Sequence, residues 1–96
     1  MLALQPNCEH CGKNLAPNSA EAMICSFECT YCQQCALDLF ENVCPSCGGN
    51  FVPRPIRPVD LLQKYPASEK PVYKPKKLEQ LKAMTKRYKN IPPTER

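Results

Sequence analysis

The chain has 96 residues, with 8 cysteines, 11 prolines, one histidine and no tryptophan. This length allows one domain at most, and every cysteine falls between positions 8 and 47. A folded unit of about 50 residues buries too little apolar surface to be stable by its core alone, so disulfides or metal ions are expected. No apolar run approaches the roughly 20 residues that a membrane-spanning helix needs, so no membrane contact is expected.

The two halves of the chain carry opposite charge. Residues 1–50 contain one lysine and five acidic side chains, whereas residues 51–96 contain twelve Lys or Arg and four acidic side chains. This asymmetry predicts an acidic module with a basic tail. The opening MLALQPNCEH lacks the basic and long apolar segments of a secretion signal, which predicts a reducing, cytoplasmic compartment. Clustered cysteines there bind metal more often than they form disulfides.

In the first half, the pattern of apolar residues predicts two short elements. The segment EAMICSFECTY alternates partly with period two, which predicts a short β-hairpin. The segment QQCALDLFENV predicts one short helix with four apolar residues on one side: Ala36, Leu37, Phe40 and Val43. Four aromatic residues near the cysteines are expected to form a thin core: Phe27, Tyr31, Phe40 and Phe51.

In the second half, we place a boundary after residue 52, because eight of the eleven prolines lie beyond it. The motif VPRPIRP predicts an extended linker over residues 53–75, since each proline restricts its own φ and disfavours helix in the residue before it. Asp60 is predicted to N-cap a short turn, DLLQKY. The segment KKLEQLKAMTKRYKN predicts a basic amphipathic helix within 76–91, with one apolar face: Leu78, Leu81, Met84 and Tyr88.

The cysteines follow the spacing C-x2-C-x13-C-x3-C-x2-C-x2-C-x8-C-x2-C. They form four pairs: Cys8 and Cys11, Cys25 and Cys29, Cys32 and Cys35, and Cys44 and Cys47. A two-residue gap lets both thiolates of a pair reach one zinc ion about 2.3 Å away. Eight thiolates make two four-thiolate sites with no open ligand position, which is typical of structural rather than catalytic zinc. Two Zn²⁺ ions are therefore the predicted cofactors.

Two other uses of the cysteines are less favoured. Disulfide bridges are disfavoured because no secretion signal is present. Dithiol redox chemistry normally uses a C-x-x-C that opens a helix in a βαβ unit, and no such pattern surrounds Cys32 and Cys35. His10 lies inside the first pair, but eight cysteines already fill two sites. We interpret it as a neighbour that donates a hydrogen bond or faces solvent.

If the four pairs stay intact, three groupings of ligands satisfy the spacing. The sequential grouping joins the first pair to the second and the third to the fourth. The interleaved grouping joins the first to the third and the second to the fourth. The nested grouping joins the outer pairs and the inner pairs, and it is least favoured because four ligands within eleven residues would strain the hairpin. The residues alone leave the first two groupings open.

Residues 8–48 resemble a RING finger in which Cys29 replaces the usual histidine. Tyr31 stands before the fifth ligand, where RING fingers often carry an aromatic residue, and CPSC resembles their final C-P-x-C. The resemblance implies a small α+β fold, a RING-like or treble-clef module with a short hairpin and one short helix. It also implies the interleaved grouping, with two ligand sets: Cys8, Cys11, Cys32 and Cys35 in one, and Cys25, Cys29, Cys44 and Cys47 in the other.

The chain departs from the RING pattern where ubiquitin ligases carry functional side chains. RING ligases usually have an apolar residue after the first ligand to contact the conjugating enzyme, and this chain has Glu9. Many have a cation after the last ligand, and this chain has Gly48. A scaffold without an evident ligase surface is therefore expected.

The whole chain also resembles a family of short bacterial cysteine-rich proteins of unknown function. The resemblance rests on MLALQPNCEHCGKNL, ICSFECTYC, NVCPSCGG and KYPAS. It implies two zinc ions in a small RING-like module and no established activity. It also disfavours a ubiquitin ligase, since bacteria generally lack that pathway.

These observations favour a non-enzymatic zinc module that acts as a protein-interaction adaptor. No Ser/His/Asp set and no open metal position is evident, which disfavours an enzyme. The alternative is a nucleic-acid-binding zinc protein that uses the cations of the tail: Lys76, Lys77, Lys82, Lys86, Arg87 and Lys89. A further interpretation of the tail is that its apolar face docks on the module or on a partner.

Overall fold

The computed structural model describes all 96 residues and has the α+β class predicted from the sequence. Three short strands form one antiparallel sheet in the order β2-β1-β3: β1 (Ala22–Ile24), β2 (Thr30–Cys32) and β3 (Val52–Pro53). The helical elements are a π-helix (Gln34–Leu39), α1 (Val59–Leu62), α2 (Leu78–Tyr88) and a final 3-10 turn (Pro93–Glu95). None of these helices has both the length and the apolar character that crossing a membrane requires.

The predicted hairpin is confirmed, and a third strand completes its sheet. Strands β1 and β2 pair with Met23 opposite Tyr31. Strand β3 pairs with the other edge of β1, so that Ile24 lies opposite Val52. The sequence did not indicate β3, because Pro53 lacks the N–H that a strand normally donates. At the edge of a sheet that missing donor costs no ladder hydrogen bond.

The predicted short helix is a π-helix, and this changes which side chains it buries. The N–H of Phe40 donates to the carbonyl oxygen of Cys35 at 2.8 Å, which is an i to i+5 bond. The wider turn aligns Cys35, Ala36 and Phe40 toward the core, and all three are buried. Leu37 does not share that side and is 38% exposed, so its predicted core position is wrong.

The core centres on three aromatic rings. Tyr31 packs edge-to-face on Phe40, with centroids 5.0 Å apart, and on Phe51, with centroids 5.5 Å apart. Phe27 was expected to belong to this core but is 76% exposed, because it lies in the loop between β1 and β2. Edge-to-face pairs contribute about 0.5–1.5 kcal/mol beyond their buried area, which matters in a core of so few rings.

The proline-rich segment after β3 is tied to the start of the chain by two arginines. The guanidinium of Arg54 is buried and donates to the carbonyl oxygens of Gln5 and Ala16 at 2.9 and 3.0 Å. Arg57 donates to the carbonyl oxygen of Leu2 at 2.7 Å. Residues 54–58 contain no helix or strand, and the two arginines hold this stretch against the module.

Helix α1 is a single turn that no side chain caps. Pro58 occupies the N-cap position, and Asp60 lies within the first turn. The predicted N-cap at Asp60 is therefore wrong, because the extended φ and ψ of Pro58 already provide the entry to the helix.

Helix α2 packs on the module through a narrower face than the sequence predicts. Leu81 is 3% exposed and joins the core cluster, and Thr85 donates to the carbonyl oxygen of Phe40 at 3.3 Å. Leu78 was expected on the same face but is 57% exposed. The docked face therefore combines Leu81, Thr85, which satisfies a carbonyl at the end of the π-helix, and the half-buried Tyr88, whose ring lies against Gly48.

We expect Leu81→Ala to release α2 from the module, while Leu78→Ala leaves it docked. Truncating a buried leucine costs about 2–5 kcal/mol, whereas an exposed position usually changes stability by about 0.5 kcal/mol or less. Amide hydrogen exchange across residues 78–88 measures the difference. Equal exchange in the two variants would contradict the docking described here.

Candidate metal centre

The structure brings the eight cysteine thiols into two groups. Site 1 contains the sulfurs of the first and third pairs, all within 4.8 Å of one another: Cys8, Cys11, Cys32 and Cys35. Site 2 contains the second and fourth pairs. The sulfurs of Cys25, Cys44 and Cys47 lie within 4.8 Å of one another. Cys29 falls outside that 4.8 Å set, but the Cys25 and Cys44 thiols lie close enough to affect its pKa. This geometry corresponds to the interleaved grouping.

The distances in site 1 fit four thiolates around one tetrahedral ion. A zinc–sulfur bond of about 2.3 Å places tetrahedral sulfurs about 3.8 Å apart. The Sγ atoms of Cys11 and Cys32 are 3.7 Å apart. All eight cysteines are free thiols, so none is committed to a disulfide. Both groups can therefore hold a metal ion.

Strand β2 determines which cysteines can share an ion. Cys29 lies just before the strand and Cys32 is its last residue. An extended strand rises about 3.3 Å per residue, so the two backbones are separated by about 10 Å. Their sulfurs face different groups of thiols. The nested grouping would need both sulfurs on one ion, and the extended backbone prevents this.

The first and fourth pairs adopt the same turn. The N–H of Gly12 donates to the carbonyl oxygen of Cys8 at 3.0 Å, and the N–H of Gly48 donates to that of Cys44 at 2.8 Å. Both glycines have a left-handed backbone, with φ of +80° and +79°. Glycine adopts this conformation without the penalty that a Cβ brings. Each C-x-x-C-G motif therefore presents two thiols on one side of a tight turn.

Backbone N–H groups point at one sulfur in each of the two cysteine pairs of site 2. The N–H of Phe27 donates to Cys25 Sγ and the N–H of Gly49 donates to Cys47 Sγ, both at 3.4 Å. The donor comes two residues after the cysteine in both cases. Such hydrogen bonds stabilise a thiolate more than a thiol, which favours the form that binds metal.

In site 2, the pKa of one thiol is lowered while the pKa values of two neighbouring thiols are raised. Hydrogen bonding with the Cys44 thiol lowers the pKa of Cys25, although burial opposes this. Burial, reinforced by Cys25, raises the pKa of Cys29. The hydrogen bond with Cys25, followed by burial, raises the pKa of Cys44. Ionisation of Cys25 therefore opposes ionisation of Cys29 and Cys44, whereas a divalent cation can replace the shared protons and bind the sulfurs together.

Glu9 and His10, which lie between the first two cysteines, connect site 1 to the rest of the chain. The carboxylate of Glu9 accepts a hydrogen bond from the N–H of Thr30 at 2.5 Å, and its carbonyl oxygen accepts one from the N–H of Lys74 at 2.8 Å. His10 Nδ1 accepts a hydrogen bond from the N–H of Lys76 at 3.0 Å. Burial, with Lys76 nearby, lowers the pKa of His10, which agrees with this accepting role.

The prediction that His10 donates a hydrogen bond or faces solvent is therefore wrong in detail. Its ring also packs edge-to-face on Phe40, with centroids 5.2 Å apart. No pattern in the sequence indicates the contact with Lys76, because the two residues lie 66 positions apart. A hydrophilic side chain inside a cysteine pair is usually read as solvent-exposed.

Comparison with known proteins identifies the family. Residues 1–57 match the model of a family described as "Protein of unknown function (DUF1272)". The chain belongs to this family. It is also 55% identical over 75 residues to an uncharacterized protein of Rhizobium meliloti (strain 1021), an alignment that covers 78% of this chain and 89% of the relative. No solved structure matches the chain significantly. The resemblance to a cysteine-rich family of unknown function is thus confirmed.

We expect Gly48→Ala to destabilise the protein more than Gly12→Ala. Both place a side chain on a left-handed backbone, which costs roughly 1–2 kcal/mol. A Cβ at Gly48 would also lie 2.8 Å from the Tyr88 ring, whereas a Cβ at Gly12 would lie 3.6 Å from Tyr73, an ordinary contact. Overpacking of this kind adds about 1–3 kcal/mol. Urea unfolding at a fixed free zinc concentration measures both costs.

A double-mutant cycle separates the two effects at Gly48. In a Tyr88→Ala background the ring is absent, so the cost of Gly48→Ala should fall to that of Gly12→Ala. An undiminished cost in that background would show that the ring contact contributes nothing.

Proposed function

We propose that the chain is a structural zinc module that presents a surface to a partner protein. Each of two Zn²⁺ ions is held by four thiolates, in sites 1 and 2. The observation that carries this proposal is the convergence of two separate cysteine pairs at each site, with backbone N–H groups that point at two of the sulfurs in site 2. A small core with so few rings gains much of its folding free energy from metal binding.

The proposed module has the RING-like cross-brace that the sequence resembles. Three features support this: the interleaved thiol groups, the hairpin that separates them and the two matching C-x-x-C-G turns. The Zn²⁺ ions supply structural stability, because four thiolates leave no position for water or substrate. We therefore propose a non-enzymatic role.

A ubiquitin-ligase role is less well supported, because the chain covers its own first cysteine pair. In RING ligases the residue after the first ligand contacts the conjugating enzyme. Here Glu9 occupies that position and is bonded to Thr30 and Lys74. Pro45, next to the seventh cysteine, is buried. Residues 72–76 lie where such an enzyme would need to bind.

Paired cysteine substitutions test the grouping of the ligands. Cys11→Ala with Cys32→Ala removes two ligands of site 1, so we expect the protein to keep one zinc ion. Cys11→Ala with Cys25→Ala removes one ligand from each site, so we expect both ions to be lost or bound far more weakly. Native mass spectrometry of the unsubstituted protein should show two zinc ions and no disulfide.

Other zinc contents in the two double variants would indicate a different grouping of the ligands. Sequential sites would reverse the two outcomes, because Cys11 and Cys25 would then share an ion. Loss of both ions in both double variants, together with loss of the far-ultraviolet signal, would indicate one cooperative unit. Cadmium-113 NMR of the cadmium-loaded single variants then reports which resonance each substitution removes. A protein that binds no metal would overturn the proposal.

Nucleic-acid binding is the second candidate, and one observation favours it. The structure contains a single salt bridge, between Lys13 and Glu21, so the lysines of the tail remain free to meet phosphates. The tyrosines of the tail differ in the stacking surface that they offer. Tyr88 packs against Gly48 with Arg87 over its ring, whereas Tyr73 and Tyr65 are 62% and 38% exposed. Binding would then rest mainly on charge, with two tyrosines open to bases, and weaken steeply with salt.

A further inference from the structure

A groove with one basic wall lies between α2 and the end of the π-helix. Its volume is about 720 Å³. Lys82, Lys86 and Lys89 line the side formed by α2, while Leu39 and Glu41 line the side formed by the segment around the end of the π-helix. We call this feature the lysine groove. It lies apart from both thiol sites, and none of the cysteines lines it.

The three lysines form one continuous charged row. Their spacing of four and three residues places them on one face of α2, beside the face that docks. All three are exposed, and none has a carboxylate within ion-pair distance. Glu41 is the single acidic residue among the lining residues. The lysine groove therefore has an excess of positive charge that nothing in the chain neutralises.

The groove also has apolar surface within reach of the lysines. Leu81 and Thr85 are buried and form its floor. Leu39 and Leu78 lie at its edges and are 40% and 57% exposed. A ligand that covers both leucines and meets the lysine row must therefore be apolar on one side and acidic beside it.

We propose that the lysine groove binds an acidic amphipathic helix of a partner protein. The apolar stripe of that helix covers Leu39 and Leu78, and its carboxylates pair with the three lysines, in the helix-in-groove mode of recognition. The proposal rests on the adaptor role proposed above and names the chemistry of the partner. Charge complementarity selects the occupant, because a basic or neutral helix would leave the lysine row unpaired.

A nucleic-acid strand fits this groove less well. Phosphates would pair with the lysines, but no aromatic residue lines the groove for bases to stack on. The exposed leucines would gain nothing from a sugar–phosphate backbone. These two leucines therefore distinguish the two kinds of ligand.

A designed peptide serves as the probe. It is a fluorescein-labelled amphipathic helix of about four turns, with leucine every third or fourth residue and glutamate on both flanks. Its counterpart carries glutamine in place of every glutamate, and labelled oligothymidylate is the nucleic-acid probe. Fluorescence anisotropy with the zinc-loaded full chain should show binding of the acidic peptide. The glutamine peptide should bind at least about tenfold more weakly.

Matched variants locate the binding surface. Lys82→Glu with Lys86→Glu should weaken peptide binding about tenfold or more, whereas Lys70→Glu with Lys74→Glu makes the same change in net charge and should have little effect. Leu78→Gln should weaken binding of the peptide and leave any binding of oligothymidylate unchanged. Leu37→Gln is the control for Leu78→Gln. Leu37 lies outside the groove, and its exposure is similar to that of Leu39.

Three results would overturn the proposal. These are equal binding of the acidic and glutamine peptides, equal losses in the two lysine variants, or binding of oligothymidylate without binding of the acidic peptide. Native mass spectrometry of every variant reports the zinc content. A zinc-loaded protein that does not bind the peptide contradicts only the proposal for the lysine groove. A protein that holds no zinc contradicts the proposed zinc module itself.

Discussion

One short strand couples the two thiol groups. Strand β2 has three residues, with Cys29 immediately before it and Cys32 at its end, so both sites constrain the position of the same backbone. Tyr31 lies between them and supplies the central ring of the core. An isolated hairpin of this length would be marginal in water. The sheet, the aromatic core and the two thiol groups therefore constrain one another through β2, and a sheet or core of this size would not fold alone.

The cations of the tail divide into two roles according to their chemistry. Arg54, Arg57 and Arg96 use planar guanidinium groups to bind several carbonyl oxygens, which a lysine cannot do with comparable geometry. Arg54 does this while buried, and burial lowers its pKa. The lysines form none of these contacts. The net charge of the tail is therefore larger than the charge that a partner could contact. The cations that remain open to a partner are mostly lysines.

Features that depend on the spacing of residues along the chain can be predicted from the sequence. Features in which the backbone departs from regular helix or strand geometry cannot. The use of the cysteine pairs and the hairpin follow from gaps and alternation along the chain. The π-helix does not, because an i to i+5 turn has no distinct apolar period over six residues. The left-handed φ of Glu28, inside the second pair, is equally invisible, because no glycine marks it in the sequence. Contacts such as Arg54 with Gln5 join distant backbone atoms, which no side-chain pattern indicates.

The departures from the RING pattern are the places where the tail attaches. Glu9 accepts a backbone hydrogen bond from Lys74, and Gly48 leaves the space that Tyr88 occupies. A bulky apolar residue at the first position would lose the hydrogen bond that the Thr30 N–H donates to the Glu9 carboxylate, and a cation at the second would collide with the Tyr88 ring. In the proposed RING-like module, the surfaces that ligases use for another protein would be used within the chain. The proposed partner would then bind elsewhere, and the exposed side of α2 is where free charge and uncovered leucines occur together.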